Sequence, residues 1–387
     1  MTSREEDILK IIAEDPMISQ NKLAERLNIT RSSVSVYITN MIRSGILKGR
    51  GYIIAEEDYP IIIGSVALDI NTIFNESLTE ALDSQVPQKN CKISFSYSGG
   101  AKNLAENLSR MGMQPKIISA IASDLYGNDI IRDCNEHGIS TELCLFLENA
   151  TTNIYLDITS PDMNLAGLAN NIIDLNITPE FLETKYIFLK KANQIVIEDR
   201  LPIETIDYLT STFQCSQLCL MTSRRFAYID NYLDFLDRFS VVQFSFQVAS
   251  HICEMDNSAY IGKVVPDSII RRMADVLLTK SKEVKHILFP TYGNQLCYVS
   301  YGNVYVITLH NETSYLDDFK ITRDALLAGM MYCLKHNYSD TETLLFLAAC
   351  NEISGHSPTA VNRNLCLQLV FSTIQKVRET SKIRKLQ

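Results

Sequence analysis

Two short segments of the sequence carry residues that could hold a polyhydroxylated ligand. Asp69 closes an apolar stretch, and Asn103 follows three residues after the pair Gly99-Gly100. A carboxylate and an amide together can hydrogen-bond a pair of vicinal hydroxyls. Two glycines would let the backbone approach such a ligand closely. The alternative is structural, because Asn and Asp are also common in helix caps and turns.

A second set of candidate residues lies in the first sixty positions, where the pattern predicts three helices and a basic, glycine-rich hairpin. The third helix is capped by Thr30 and is predicted to bury Val34, Ile38, Met41 and Ile42. Its other face and the hairpin present side chains that bond bases or phosphates, namely Arg31, Ser32, Ser33, Ser35, Tyr37, Lys48 and Arg50. This predicts a winged helix-turn-helix that places its third helix in the DNA major groove. A module used only for dimerisation is the alternative.

Charge and composition narrow the possible partners and compartment. Residues 1–55 contain eight basic and six acidic residues, whereas the remainder contains 28 basic and 39 acidic residues, so DNA binding is expected only at the N-terminus. There is no apolar run long enough to span a membrane and no basic-then-apolar leader, which predicts a cytoplasmic protein. The ten cysteines form no CxxC pair, and no metal site is predicted. A homodimer that reads two half-sites is expected.

The elements that must position these residues form two predicted domains, a winged helix over 1–57 and an α/β domain over 60–387. Predicted helices alternate with strands in the second domain, which favours a doubly wound parallel sheet. Two segments with period-two patterns, Lys92–Tyr97 and Thr152–Asp157, are predicted to form a small β lid over a site. The main strands are predicted at Ile61–Ile63, Lys116–Ala120, Tyr186–Leu189, Gln217–Met221, Val241–Phe246 and His286–Phe289.

The second domain resembles the ribokinase-like (PfkB) family of carbohydrate and nucleoside kinases. The resemblance rests on Ile61–Ile70, on the GG-x3-N segment of Ser98–Gly112, on Ile118–Gly127 and on Asp324–Gly329. It implies a ribokinase-like fold that binds a sugar or nucleoside through Asp69, Gly99, Gly100 and Asn103. It also implies Mg-ATP as cofactor and Asp324 as the base on the acceptor hydroxyl. The fused winged helix and the segment Val361–Leu365 are similar to the pseudouridine-kinase-like branch.

The sequence departs from the family where the phosphoryl group would be transferred. The family pattern D-T-x-G-A-G-D corresponds to Asp318–Asp324, in which Ile321 and Arg323 stand in place of both glycines. Those glycines let backbone N–H groups at a helix N-terminus surround the phosphoryl group. The family's N-x-x-E stretch has no counterpart in Phe244–His251, and only part of its T-x-G-x-x-G loop remains in Pro290–Leu296.

Three functions remain open from the sequence. The first is a transcriptional regulator in which the kinase fold binds a sugar or nucleoside and phosphotransfer is weak or lost. The second is an active ATP-dependent carbohydrate or pseudouridine kinase that uses Asp324 as base. The third is a scaffold whose N-terminal module only dimerises.

Overall fold

The computed structural model describes residues 3–15, 18–44, 46–47, 58–78, 90–162, 164–169, 172, 176–222, 226–260, 263–309, 319–355, 357 and 360–387. The chain divides into two compact units. The N-terminal unit comprises Met1–Tyr59 and Glu183–Asn193, and the C-terminal unit comprises Pro60–Leu182 and Gln194–Gln387. In the part of the chain that is described, no helix combines the length and apolar character needed to cross a bilayer. The predicted wing residues Lys48 and Arg50 lie outside the described residues.

The N-terminal unit begins with three helices, α1 (Ser3–Glu14), α2 (Gln20–Leu27) and α3 (Arg31–Arg43). Ser19 caps α2 by accepting a hydrogen bond from the Lys22 N–H, and Thr30 caps α3 by accepting one from the Ser33 N–H. Asn28 ends α2 in the left-handed conformation, with φ of 51°. A three-residue turn therefore joins α2 to α3, as the sequence predicts for a helix-turn-helix.

The three helices share one apolar core. It contains Ile8 and Ile12 of α1, Leu23 of α2, and Val34, Ile38 and Met41 of α3. Ile42, which was predicted to be buried with them, is 45% exposed. The prediction was wrong because a short helix that packs on two others buries a narrow stripe, and Ile42 lies about 40° beyond Ile38 at the edge of that stripe.

The N-terminal unit also includes a segment from the middle of the sequence. Helix α6 (Pro179–Glu183) leads into α7 (Tyr186–Lys191), and Ile187 packs against the core of α1–α3. The Tyr59 hydroxyl donates to the Phe188 carbonyl at 3.1 Å. A strand was predicted at Tyr186–Leu189, and this prediction was wrong. A short run of apolar and aromatic residues does not distinguish a strand from a helix.

The C-terminal unit is built on a nine-stranded sheet with the order β15-β14-β13-β12-β11-β10-β9-β1-β4. The strands from β12 to β4 run parallel, and β13, β14 and β15 continue the sheet in antiparallel fashion. The antiparallel extension was not predicted. The strands are β1 (Pro60–Ile63), β4 (Lys116–Ile118), β9 (Gln194–Glu198), β10 (Leu218–Met221), β11 (Val241–Gln243), β12 (His286–Thr291), β13 (Gln295–Ser300), β14 (Asn303–Thr308) and β15 (Lys382–Leu386).

Two smaller sheets complete the unit. A four-stranded sheet has the order β3-β2-β7-β8, and a pair is formed by β5 and β6. The two segments predicted for a small sheet, Lys92–Tyr97 and Thr152–Asp157, lie in or overlap β3 and β7 of the four-stranded sheet, and its strands Ala67–Phe74 and Asn164–Ala169 were not predicted. The strands are β2 (Ala67–Phe74), β3 (Cys91–Ser98), β5 (Ala120–Ala122), β6 (Leu145–Leu147), β7 (Ile154–Thr159) and β8 (Asn164–Ala169).

The helices of the C-terminal unit follow the strands in the alternating order expected of a doubly wound fold. The main core lies where α4, α11, α12 and α13 pack with the sheet, and every residue from Thr343 to Gly355 is buried. The helices are α4 (Gly100–Arg110), α5 (Leu125–Glu136), α8 (Ile203–Thr212), α9 (Phe246–Ile252), α10 (Asp267–Lys280), α11 (Phe319–Lys335), α12 (Asp340–Gly355) and α13 (Leu367–Thr380). Single-turn or irregular 3-10 segments lie at Cys215–Gln217, Phe226–Arg238 and Ser258–Tyr260.

Candidate functional site

Strands β1 and β9 bring together the residues that follow their carboxyl ends. The two strands pair in parallel with Ile63 opposite Ile197, so Gly64-Ser65 and Glu198 lie side by side. In open α/β sheets, ligands bind at this edge. Helix α4 begins at Gly100 beside the same edge, where the Ala101 N–H donates to the Ser65 carbonyl. The carboxyl ends of β1 and β9, together with the start of α4, therefore form the candidate ligand site.

Glu198 connects three segments of this edge. Its Oε2 accepts hydrogen bonds from the Ser65 N–H at 2.7 Å and from the Ser65 hydroxyl at 2.8 Å. The Ser65 Oγ in turn accepts the Gly100 N–H at 2.9 Å. Glu198 is only 3% exposed. The sequence analysis did not identify Glu198, although an acid directly after the Ile-Val-Ile run of β9 is a signal that could have found it.

The glycines beside Glu198 are closely packed against it and against the Ser65 backbone. A Cβ atom would lie 2.4 Å from the Glu198 Oε1 at Gly100 and 2.5 Å from its Oε2 at Gly64. Gly99 has a φ of 113°, and a Cβ there would lie 2.3 Å from the Ser65 carbonyl oxygen. Gly99 and Gly100 were predicted to let a ligand approach the backbone. The structure adds a packing reason for glycine at both positions, because protein atoms already occupy the space that side chains would take.

Asn103 and Asp69 lie on neighbouring parts of the same region. The Asn103 Nδ2 donates to the Ser98 Oγ at 3.1 Å. Asp69 pairs with Ser96 across β2 and β3, so it shares a face with Ser98, about 7–8 Å away on the diagonal. Asp69 and Asn103 are both buried. We call Asp69, Asn103, Ser65 and Glu198 the ligand side of the site.

Asp324 lies on α11, which packs against α4, and it is 1% exposed. Burial raises the pKa of the Asp324 carboxyl above its ordinary value, and the nearby Glu198 carboxylate adds to this rise. The Arg323 guanidinium and the Asn103 side chain oppose it. The structure thus brings Asp324, Asn103 and Glu198 to one place, and it adds Arg323 to them. We call the start of α11, with Arg323 and Asp324, the phosphate side.

The backbone of the phosphate side differs from the glycine turn of the family pattern. Helix α11 begins at Phe319, so Asp324 is its sixth residue. Only the first four N–H groups of a helix lack a partner within it. The N–H groups of Arg323 and Asp324 therefore bond to carbonyls of the preceding turn. They are not available to surround a phosphoryl group beside Asp324.

The Arg323 side chain completes this change. Its Nε donates to the Asp324 Oδ1 at 2.7 Å, and the Arg323 carbonyl accepts the Gln243 Nε2 at 2.8 Å. Burial lowers the pKa of Arg323, but the carboxylates of Asp324, Glu198 and Asp199 outweigh it and raise that pKa above its usual value. Arg323 is thus a buried, charged partner of Asp324. It hydrogen-bonds one of the two carboxylate oxygens that a catalytic base would use to accept a proton.

The two segments in which nucleotide and magnesium contacts were expected pack on each other. Helix α9 begins after Ser245, whose Oγ caps it, and the Phe246 ring meets the Tyr292 ring edge-on at 5.0 Å. Gln247 also donates to the Tyr292 hydroxyl at 3.5 Å. The residues Ser245–Val248 contain no carboxylate. The described residues at the start of α9 therefore offer no carboxylate that could coordinate Mg²⁺.

One group of potential metal ligands lies away from this site, on α4 and α5. It consists of Glu106, Asp133 and His137. The Lys102 Nζ lies 2.9 Å from a Glu106 oxygen and 2.7 Å from an Asp133 oxygen, and Arg110 binds the other Glu106 oxygen at 2.7 Å. Because two cations already neutralise the two carboxylates, this group is an ion-pair network that joins the helices.

In the N-terminal unit, the predicted DNA-contacting residues of α3 divide by exposure. Arg31, Ser32 and Ser35 are exposed, whereas Ser33 and Tyr37 are half-buried, and Tyr37 packs against the helical core. The Thr30 hydroxyl lies 2.8 Å from the hydroxyls of both Ser32 and Ser33. Three further exposed residues of the outer face, Val36, Thr39 and Asn40, were not predicted as DNA contacts.

Comparison with known families and proteins agrees with this architecture. Residues 1–48 match the family described as winged helix-turn-helix DNA-binding, and residues 61–218 match the pfkB family of carbohydrate kinases. The chain is 24% identical over 386 residues to the "Uncharacterized sugar kinase YeiI" of Escherichia coli, covering 97% of this chain and 100% of that protein.

Two further relatives cover less of the chain or share less sequence. The pseudouridine kinase of Escherichia coli is 31% identical over 158 residues, which cover 40% of this chain and 48% of the kinase. The ribokinase structure from Thermotoga maritima superposes with a TM-score of 0.64 at 13% identity, covering 82% of this chain and 99% of the other. Residues 61–218 thus match the pfkB family of carbohydrate kinases within a ribokinase-like fold, and residues 1–48 match a winged helix-turn-helix.

Proposed function

We propose that the chain is a ligand-responsive transcriptional regulator. The winged helix-turn-helix binds DNA as part of a homodimer in the cytoplasm, and the kinase fold binds a sugar or nucleoside between Asp69, Asn103 and the lid strands. Phosphotransfer is weak or lost. The observation that carries the proposal is the helical start of α11 at Phe319, which consumes the N–H groups beside Asp324.

Two further observations support the loss of phosphotransfer. Arg323 holds an oxygen of Asp324, the residue that would act as base. The sequence Ile321-Thr322-Arg323 has no glycine in the turn before Asp324. Loss of one backbone donor to a developing oxyanion costs about 10²–10³ in rate. Loss of all the backbone donors of the turn is expected to lower the rate of phosphoryl transfer by more than this factor.

Chain connectivity supports a link between the ligand and DNA binding. Strand β1 begins directly after Tyr59, and β9 begins directly after Asn193, so both strands continue from the N-terminal unit. The Asn193 N–H donates to the Tyr59 carbonyl, which ties the two entry points together. At their other ends, β1 and β9 lead to Ser65 and Glu198. A ligand that shifts Glu198 would therefore act on strands whose first residues follow directly on the N-terminal unit.

The pseudouridine kinase relative suggests the first ligands to test, namely pseudouridine, related nucleosides and free pentoses. The test has two parts on the full chain. Calorimetric titration with Mg-ATP is expected to show no binding at millimolar nucleotide. DNA affinity, measured with and without each compound, is expected to change with at least one of them. A DNA affinity that is indifferent to all of them would contradict the regulator proposal.

Micromolar to low-millimolar binding of Mg-ATP would favour the alternative, an active carbohydrate or pseudouridine kinase. That alternative has one observation in its support, since Asp324 is retained beside Asn103 in a buried setting. An acceptor screen would then follow, with phosphate transfer to the sugar or nucleoside as the readout.

A further inference from the structure

The outer face of α3 has an apolar side chain at its centre. Val36 is 58% exposed, and exposed polar residues surround it on the helix surface. At 100° per residue, the five side chains of this face span about 100°, opposite the buried stripe of Val34, Ile38 and Met41. The face consists of Ser32, Val36, Thr39, Asn40 and Arg43.

Helix stability does not explain a valine at this position. A β-branched residue is a poorer helix former than Lys, Arg or Gln, and Val36 is not part of the core of α1–α3. Single exposed apolar residues are common on protein surfaces. Val36 is informative because it lies in the middle of a face whose other members are all hydrogen-bonding side chains.

The charge of α3 identifies the partner that would cover this face. The helix contains no acidic residue, and Arg31 and Arg43 are exposed near its two ends. Two cations at the ends of a helix whose outer face is otherwise neutral are complementary to the phosphate backbones on either side of a DNA groove. This step rests on the proposed DNA binding and concerns which base pairs the helix reads.

The geometry points to a half-site in which α3 reads A·T base pairs, with Val36 against a thymine methyl group and Asn40 on an adenine edge. An apolar side chain in the major groove contacts the C5-methyl of thymine, and an Asn amide pairs with N6 and N7 of adenine. Val36 and Asn40 are four residues apart, so their Cβ atoms lie about 5–6 Å from each other. Stacked bases are about 3.4 Å apart along a strand, so the two side chains reach neighbouring base pairs.

The test uses the full chain and a randomised DNA duplex library. Sequences enriched by the wild-type chain are resynthesised with deoxyuridine in place of thymidine at one position at a time, which removes a single methyl group. We expect about three- to fivefold weaker binding at one position per half-site, the value for one buried methyl. Val36→Ala should abolish the difference between thymidine and deoxyuridine at that position, and Asn40→Ala should relax the choice of adenine next to it.

Ile42→Ala is the matched control, because Ile42 is a similarly exposed apolar residue about 120° away on the same helix. It should retain the wild-type discrimination, and thermal unfolding of each variant checks that the helices remain folded. Equal sensitivity to deoxyuridine in wild type and Val36→Ala would overturn the inference. Salt-dependent binding without any enriched sequence would overturn it as well, while leaving DNA binding intact. Absence of salt-dependent binding to every duplex would contradict the proposed DNA binding itself.

Discussion

The ligand side and the phosphate side of the C-terminal unit are neighbours, yet they use their backbone N–H groups differently. On the ligand side, the N–H groups of Ser65 and Gly100 bond to side chains, Glu198 and Ser65 respectively. On the phosphate side, α11 begins at Phe319 and its own carbonyls take the N–H groups beside Asp324. An N–H group that closes a helical turn cannot also bind an anion. The N–H groups at the two sides of one candidate site are thus bonded in different ways, to side chains on one side and within a helix on the other.

The largest effect is expected on the ligand side, from Glu198→Ala. Removal of this buried carboxylate leaves the Ser65 N–H and hydroxyl without their acceptor and Arg323 with fewer opposing charges. We expect a loss of about 3–5 kcal/mol in the free energy of unfolding at pH 7. Urea denaturation measures it. Glu204→Ala, at an exposed position in the first turn of α8, is the control and should cost under about 1 kcal/mol. A loss below about 1 kcal/mol for Glu198→Ala would show that Glu198 does not hold this edge together.

A smaller but pH-dependent effect is expected on the phosphate side, from Arg323→Met. Because Arg323 lowers the pKa of Asp324, its removal raises that pKa further. Between the ordinary Asp value of about 4 and this raised value, the folded state binds more protons than the unfolded state, so stability falls as pH rises. We expect a loss of about 2–3 kcal/mol at pH 7 and less at pH 5.

Urea unfolding at the two pH values tests the prediction for Arg323→Met. The double variant with Asp324→Asn should show a weaker pH dependence, since the titrating group is gone. An equal loss at both pH values in the single variant would mean that the ion pair does not set the protonation of Asp324.

Gly100→Ala tests the close packing on the ligand side, and its expected effect on stability is smaller than the two effects above. The new Cβ would lie 2.4 Å from the Glu198 Oε1, so either the helix or the carboxylate must move. We expect a loss of about 1–3 kcal/mol, seen as a lower melting temperature. Gly167→Ala is the control, because its Cβ meets no atom within 4 Å. Glu198→Asp, which shortens the side chain, should recover part of the loss in the Gly100→Ala background. An unchanged melting temperature in Gly100→Ala would contradict the packing argument.

The smallest effect is expected from Asp324→Asn on ATP consumption in the presence of sugars and nucleosides. A working base contributes about 10²–10⁴ in rate, so an active kinase would lose that factor. We expect no change in any residual ATP consumption, because the phosphate side lacks its donors. Phosphate release and transfer to the acceptor are the readouts, and Asp256→Asn at an exposed position is the control. A hundredfold or larger drop in the rate of phosphate transfer in Asp324→Asn would show that the protein is an active kinase that uses Asp324 as base.

The sequence predicts the architecture better than it predicts the site. The cap at Thr30, the burial of Val34, Ile38 and Met41 on α3 and the alternation of strands and helices are local signals, and the structure confirms them. Glu198 was missed because the strand was placed at Tyr186–Leu189, several residues too early. Its partner Ser65 is 133 residues away, so no local pattern connects the two.

On the phosphate side, in contrast to Glu198, the change from the family pattern is visible in the sequence. The loss of both glycines before Asp324 is visible in the sequence, and it predicts that the anion-binding turn is absent. The helical start at Phe319 and the ion pair with Asp324 are not visible, since they depend on what replaces the turn. Similarly, the reason for Gly100 is an acid on another strand, which no spacing within residues 98–112 could reveal.

The N-terminal unit is discontinuous in sequence, and this limits how evolution or an experimenter can separate the two halves of the protein. A chain that started at Pro60 would still carry Glu183–Asn193, but Ile187 would have lost the helices on which it packs. Gene fusion or loss at a single junction would therefore not release an intact kinase-fold module. The two parts are expected to be inherited, expressed and purified as one piece.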